Sequence, residues 1–281
     1  MCCEEQNLAK AREVVKKLRP IDDTLFRKMF NENISLTEFV LRIFLDKPDL
    51  SIKSVKTQFD LKKLMGARSL ILDAYAVDSD GKKYNIEAEK SEERAEPHRA
   101  RYHLSALDVE NSKACTDFKE LPTTYVIFIT EADIFEANKP IYHIDRVVRE
   151  TNKDFKDGEH IIYINASYKD NTTIFGQLIH DFMCSDPKDM FIPEIAECAD
   201  ECKNTKKGEL SMCKAVEEYA KEYAKEYAKE YAKEKELKKT AEIAVELLKA
   251  GQSVTFTSTI TKLAFDLVKQ LAIDNNIPYT I

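Results

Sequence analysis

Asp73, Glu87 and Glu89 are the side chains of this chain whose types and spacing could do chemistry. Glu87 and Glu89 stand two apart in the alternating run Tyr84 to Glu89, so in a strand both point to one face. Asp73 lies in a second alternating run, Ile71 to Val77, and Asp80-Gly81 between the runs is a two-residue hairpin signal. Closing that hairpin puts Asp73 on the neighbouring strand, where it could come opposite the glutamates. Carboxylates gathered on one face repel one another unless a hard divalent cation, Mg²⁺ (or Mn²⁺), bridges them. Spacing alone leaves a second reading open, that of solvated acids on an edge hairpin.

Several elements must hold that hairpin in place. After Pro20, Asp22 or Asp23 can cap a helix in which Leu25, Phe26, Met29 and Phe30 recur at helical spacing; Phe39, Val40, Ile43 and Phe44 continue the pattern, in one broken helix or two. Ile52 to Phe59 reads as a first strand, Leu61 to Arg68 as a connector, and Ser91 to Asn111 as a helix whose regular part starts near Pro97. Thr124 to Thr130, TYVIFIT, has the continuous apolar, β-branched character of a strand buried on both faces. A long polar segment, Glu131 to Glu159, leads to a β-branched run, Ile161 to Asn165, and then to a helix, Ile174 to Met183. A helix crossing over between strands marks a mixed α/β sheet.

The helix after the hairpin carries Arg99, Arg101 and Tyr102. Arg101 and Tyr102 share a face with His98, which suits Arg101 to a phosphate contact through its guanidinium fork. A salt-bridged or solvated face for the arginines, and core packing for Tyr102, are the competing readings. His98, His103, His143, His160 and His180 are singletons and read as structural.

The net charge of -7 argues against a protein that coats nucleic acid through overall charge, and leaves room for a nuclease that offsets its acids locally. No apolar run is long enough for a membrane span, no secretory signal opens the chain, and scattered cysteines fit a reducing cytoplasm. Cys198 and Cys202 share a helix face without the partners of a zinc site. The few glycines make no dinucleotide fingerprint or phosphate loop, so no nucleotide cofactor is expected. By sequence the chain divides into a helical lead-in (1–19), an α/β domain (20–185), a helical linker (186–217), a repeat helix (218–236) and a small helical tail (237–281). The repeat is EYAK, four times over from Glu218 to Lys233. Its tyrosines drift by about 40° per step around a helix, which suits a solvated spacer better than a coiled-coil seam. A helix stop at Gly251 and further helical spacing from Ile260 to Leu271 complete the tail.

Taken together, DDTLFRKMF, DAYAVDSDGKKYNIEAE, HRARYHLSALD, LPTTYVIFIT, PIYHIDRVVRETNKDFKDGEHIIYINA and LIHDFMCSDPKDMF resemble the PD-(D/E)XK nuclease family transposases, also described as recombination-promoting nucleases of the Rpn type, found in bacteria. The resemblance spans roughly residues 20 to 215, and IAVELLKAGQSVTFTSTITKLA is similar to the helical tail of such proteins. It implies a restriction-endonuclease-like core (helix, three-stranded meander, helix, strand) with a helical C-terminal extension. It also implies a Mg²⁺-dependent DNA endonuclease whose metal is held by Asp73 and Glu87, with Asp23 as an accessory acid. The fold's usual lysine, or the glutamine of such relatives, is here Glu89. Glutamate supplies no positive charge; it can ligate a second metal or act as general base. A relative that binds DNA or a protein partner without cutting is the alternative, and an interaction module built on the tyrosine repeat a third. Cutting both strands of a duplex suits a homodimer.

Overall fold

The computed structural model describes residues 3–61, 70–91, 95–112 and 117–281. The connector expected at Leu61 to Arg68 lies, beyond Leu61, outside the described residues, as do residues 92–94 of the helix expected from Ser91. The chain forms two compact units, Met1–Glu217 and Glu218–Ile281.

In the first unit the order is α1 (Cys3–Lys17), α2 (Asp23–Phe30), α3 (Ile34–Leu45), β1 (Ile52–Asp60), β2 (Ile71–Asp78), β3 (Lys83–Glu89), α4 (Pro97–Asn111), β4 (Thr124–Thr130), β5 (Ile141–Ile144), β6 (Val147–Val148), β7 (Lys153–Asp154), β8 (Glu159–Asn165), α5 (Ile174–Met183), α6 (Pro193–Asn204) and the start of α7 (Lys206–Lys249). The expected broken helix is two helices. Asn33 separates them, its side chain accepting from the Leu36 N–H at 3.1 Å to cap α3.

Six strands form one sheet in the order β1-β2-β3-β4-β8-β5. The β1–β2 and β2–β3 pairs are antiparallel; β3–β4 and β4–β8 are parallel, with α4 as the crossover from β3 to β4. Every residue of β4 is buried, as its unbroken apolar run requires. The long segment read as polar, 131–159, contains β5, which pairs antiparallel with β8 from Ile141–Ile164 to Ile144–Ile161. Four residues among charged neighbours show too little periodicity to be read as a strand; an edge strand needs only a partner.

The hairpin differs from the expected two-residue turn. Its loop is Ser79-Asp80-Gly81, closed by the Gly81 N–H to Asp78 C=O bond at 3.2 Å, with Gly81 at φ +84°. That is the three-residue loop in which a left-handed glycine follows the turn. Buried Asp78 stabilises it: its carboxylate accepts from the Asp80 and Lys82 N–H groups at 2.9 and 2.8 Å and from the Tyr84 hydroxyl at 2.8 Å.

The two faces of the sheet carry separate cores. Ala74, Ala76, Tyr84, Ile86, Ala88, Ile127 and Ile129 pack with α2, α3 and α5; Val126, Phe128 and Tyr163 pack with Ala100, Leu104 and Leu107 of α4. Residues 1–19, read above as a lead-in, contribute Ala11 and Val15 to the first core, and the stretch read as a linker contributes Ile195, Ala199, Met212 and Cys213. An apolar sheet face this wide needs more than α2 and α3 to cover it.

In the second unit, α7 continues through the repeat. Tyr219 and Tyr231 are exposed there; the side chains of Tyr223 and Tyr227 lie outside the described residues. The helix ends as Gly251 predicts. The Gly251 N–H bonds to Leu248 C=O at 3.0 Å and the Gln252 N–H to Leu247 C=O at 3.1 Å, with Gly251 at φ +81°. The helical spacing read from Ile260 to Leu271 falls on two short helices. α8 (Val254–Thr261) and α9 (Phe265–Asp274) are separated at Lys262, φ +58°, and close a small core of Ala244, Leu248, Val254, Leu263, Val268 and Ala272. No described helix is long and apolar enough to cross a membrane.

Candidate active site

Alternation in β3 sends Tyr84, Ile86 and Ala88 into the core beneath α2 and leaves Asn85, Glu87 and Glu89 on the α4 side. In β2 the alternation breaks. Leu72 packs with the α4 core and Ala74 with the opposite core, although both are even-numbered. The β2–β3 ladder stops at the Ala74–Ile86 pair. Beyond it side chains take over the bonding: the Asp73 N–H donates to Glu87 Oε1 at 3.2 Å, and the Ala88 N–H donates to Asp73 Oδ2 at 3.3 Å. Asp73 and Glu87 therefore face each other where the two strands part.

The acids are not solvated. Asp73, Glu87 and Glu89 are 6%, 1% and 5% exposed, and β3 lies between β2 and β4. The reading of an exposed edge hairpin is overturned by that burial. Burial first, and the charge of Asp73 next, push the Glu87 carboxyl well above the usual carboxylate range.

Two arginines compensate the acids, one from each side. Arg27 of α2 donates to Asp73 Oδ1 through Nε at 3.2 Å and Nη2 at 2.8 Å. Asp23, one turn earlier, meets Arg27 Nε at 2.7 Å, so Asp23 reaches Asp73 through Arg27. Asp22 is the N-cap residue of α2, its C=O accepting from the Phe26 N–H at 2.9 Å, while its side chain accepts from the Arg19 N–H at 2.7 Å and pairs with Lys90 at 2.9 Å. From α4, Arg99 Nη1 lies 2.7 Å from Glu89 Oε1 and Nη2 lies 3.4 Å from Glu87 Oε2. Arg101 and Tyr102 are exposed, so Arg99, and not Arg101, faces the carboxylates.

Arg99 is itself held. Its Nε–H donates to His103 Nε2 at 3.2 Å, and His103 Nδ1 lies 2.9 Å from the Asn85 amide and 3.7 Å from Glu87 Oε1. His103 is fully buried and packs on Phe128; burial, then the Arg99 charge, pull its pKa down to about 3, so the ring is neutral. Arg27, His103 and Asn85 did not stand out in the sequence. The available signals were the i,i+4 spacings Asp23–Arg27 and Arg99–His103.

Among the described residues, no three or more His, Cys, Asp or Glu side chains are grouped as a ready cation cage. Glu89 pairs with Arg99, the same guanidinium that reaches Glu87. The donors of the Asp73–Glu87 pair nevertheless fit a hard divalent ion: oxygen ligands, buried, with like charges side by side.

No curated protein and no solved structure matches the chain. A family profile described as PD-(D/E)XK nuclease family transposase matches residues 20–246. The match takes in the whole sheet, both arginines and the parted β2–β3 hairpin, and runs on through the repeat. The chain belongs to the PD-(D/E)XK nuclease family transposases.

Proposed function

We propose that the protein is a divalent-metal-dependent DNA endonuclease that hydrolyses phosphodiesters at the parting of β2 and β3. The observation that carries this reading is the buried, facing pair Asp73 and Glu87, joined to each other's strands by carboxylate–backbone bonds. Mg²⁺ or Mn²⁺ held by these two residues would lower the pKa of the attacking water and draw charge from the phosphate. Glu89 offers a carboxylate to accept the proton of that water as its oxygen attacks phosphorus and the sugar oxygen leaves. Arg99 offsets charge on the phosphate, and Arg101 and Tyr102, exposed on α4, contact the DNA backbone nearby. Asp23 acts through Arg27, as the counter-ion that orients it.

Incubating the purified protein with supercoiled DNA and Mg²⁺ or Mn²⁺ tests this reading. Nicked or linear product is expected, and Asp73→Ala should abolish it. Absence of cleavage with either metal, on single- and double-stranded DNA, would overturn it.

The Arg99–Glu89 contact at 2.7 Å favours one alternative, a relative that binds DNA without cutting. Its carboxylates would serve as internal counter-ions. Retained DNA binding without hydrolysis, unchanged in Asp73→Ala, is the outcome that selects it.

A further inference from the structure

We propose that His103 is a positioning residue, a buried imidazole whose Nε2 holds the Arg99 Nε–H so that the guanidinium supplies the positive charge Glu89 cannot. This rests on the hydrolytic reading above. It adds a line of support, Asn85–His103–Arg99, running from inside the sheet to the carboxylates.

The geometry of a guanidinium makes the role specific. The group is planar, with its five N–H donors in a fixed fork. Fixing Nε and one Nη fixes the whole plane. Here His103 takes Nε at 3.2 Å and Glu89 takes Nη1 at 2.7 Å, which turns Nη2 to within 3.4 Å of Glu87. Without an acceptor on Nε, the side chain could rotate about its Cδ–Nε bond while keeping one carboxylate contact. Arg99 and His103 are four apart on α4, so the helix itself sets their distance.

His103 is suited to accept and unsuited to be a surface ligand. It is 0% exposed and sits against Phe128, 5.6 Å between ring centroids. With Nε2 accepting, a neutral imidazole carries its one proton on Nδ1. The Asn85 amide nitrogen is placed 2.9 Å from Nδ1, where two donors would meet, and Asn85 Oδ1 is buried with no partner among the described residues, so turning the amide end for end gives Nδ1–H its acceptor. The two ends of an amide have the same shape, and the oxygen end is the one that can accept from Nδ1–H. Asn85 is also 0% exposed, on the central strand β3, two residues before Glu87. The strand that carries the acids therefore also carries the anchor of the histidine that aims their arginine. A lysine in the strand would reach the reacting phosphate directly; here the charge comes from the crossover helix, and the histidine sets its direction.

A double-mutant cycle on DNA cleavage tests the proposal. His103→Phe, which fills the volume without an acceptor, and Arg99→Ala should each lower kcat by about 100-fold, with the KM for DNA changed far less. The double variant should be no slower than Arg99→Ala alone. His103→Gln, which restores an acceptor, should recover part of the lost kcat. Additive losses, or a His103→Phe enzyme that melts earlier but turns over normally, would mark a core histidine only and overturn the proposal. Should the wild type cleave no DNA, the hydrolytic reading falls on its own, and imidazole ¹⁵N shifts still decide this one. An Nδ1–H tautomer with hydrogen-bonded Nε2, perturbed by Arg99→Lys, is expected; an Nε2–H tautomer, or shifts indifferent to Arg99, overturns it.

Discussion

The hairpin of β2 and β3 and the repeat helix α7 are both rich in charge, and they treat it in opposite ways. The hairpin buries Asp73, Glu87 and Glu89 and brings Arg27 and Arg99 from two helices to meet them. The repeat leaves its described glutamates and lysines at the helix surface, where no partner is required. Burying an ion is strongly unfavourable unless it is paired, whereas a solvated helix face is almost free of that constraint. Charge kept in the hairpin against such a penalty needs a compensating cation within reach, which Arg27 and Arg99 supply. Charge repeated in the helix marks a place where composition matters more than identity.

That contrast can be broken or sharpened by experiment. The largest effect is expected from Asp73→Ala, which should reduce Mg²⁺-dependent DNA cleavage by about 1000-fold or more, read on a supercoiled plasmid. Arg27→Met should come next. It leaves Asp73 with one charged neighbour fewer in a buried site and should lower unfolding stability by about 3 kcal/mol in denaturant titration. Adding Asp73→Asn to that variant should restore most of the loss, because the uncompensated charge is then gone.

His103 gives a pH signature. Its folded pKa of about 3 lies below the ordinary value of 6.5, so between those pH values the unfolded chain binds more protons than the folded one. Its contribution is fully present above pH 6.5 and declines as pH falls toward 3. The stability difference between wild type and His103→Gln should therefore shift by about 2 kcal/mol between pH 7 and pH 5. A difference flat with pH would show that the ring titrates freely in the folded state.

Asp108, on the same helix, has the opposite sign. Burial first, then its hydrogen bond with Glu159, raise its pKa from 3.8 to about 7. The folded state then holds the extra proton between these values, and stability is lost as pH rises through 7. Asp108→Asn should raise stability at pH 8 by ~1 kcal/mol after allowing for solvent screening, and change little at pH 4. The smallest effect belongs to the repeat. Deleting one EYAK tetrad should move the melting of the first unit by less than about 0.5 kcal/mol, and a larger shift would erase the contrast.

Much of this was legible in the residues. Alternation in β3 placed Glu87 and Glu89 on one face, and the turn residues marked a hairpin with Asp73 on the neighbouring strand. The buried run of β4 and the helix stop at Gly251 were equally plain. These features depend on side-chain period and backbone preference, which are properties of neighbours in the chain. The three-residue loop depended on Asp78 reaching forward to bond its N–H groups, and β5 on finding β8.

Sequence by itself therefore determined which strands carry the acids, because period and turn signals are local. The one-residue change of loop that sets Asp73 opposite Glu87 instead of Ala88 came from Asp78 in the folded hairpin. Only the tertiary structure decided what those acids meet. It chose Arg99 over Arg101 by the rotation of α4 above the sheet, sent Glu89 to that arginine, and brought Arg27 from a helix packed on the other face. The physical reason is range. Period and turn chemistry act over a few residues, while the pairing of a buried charge is settled between elements far apart in the chain, by which cation the packed core can bring within hydrogen-bonding distance.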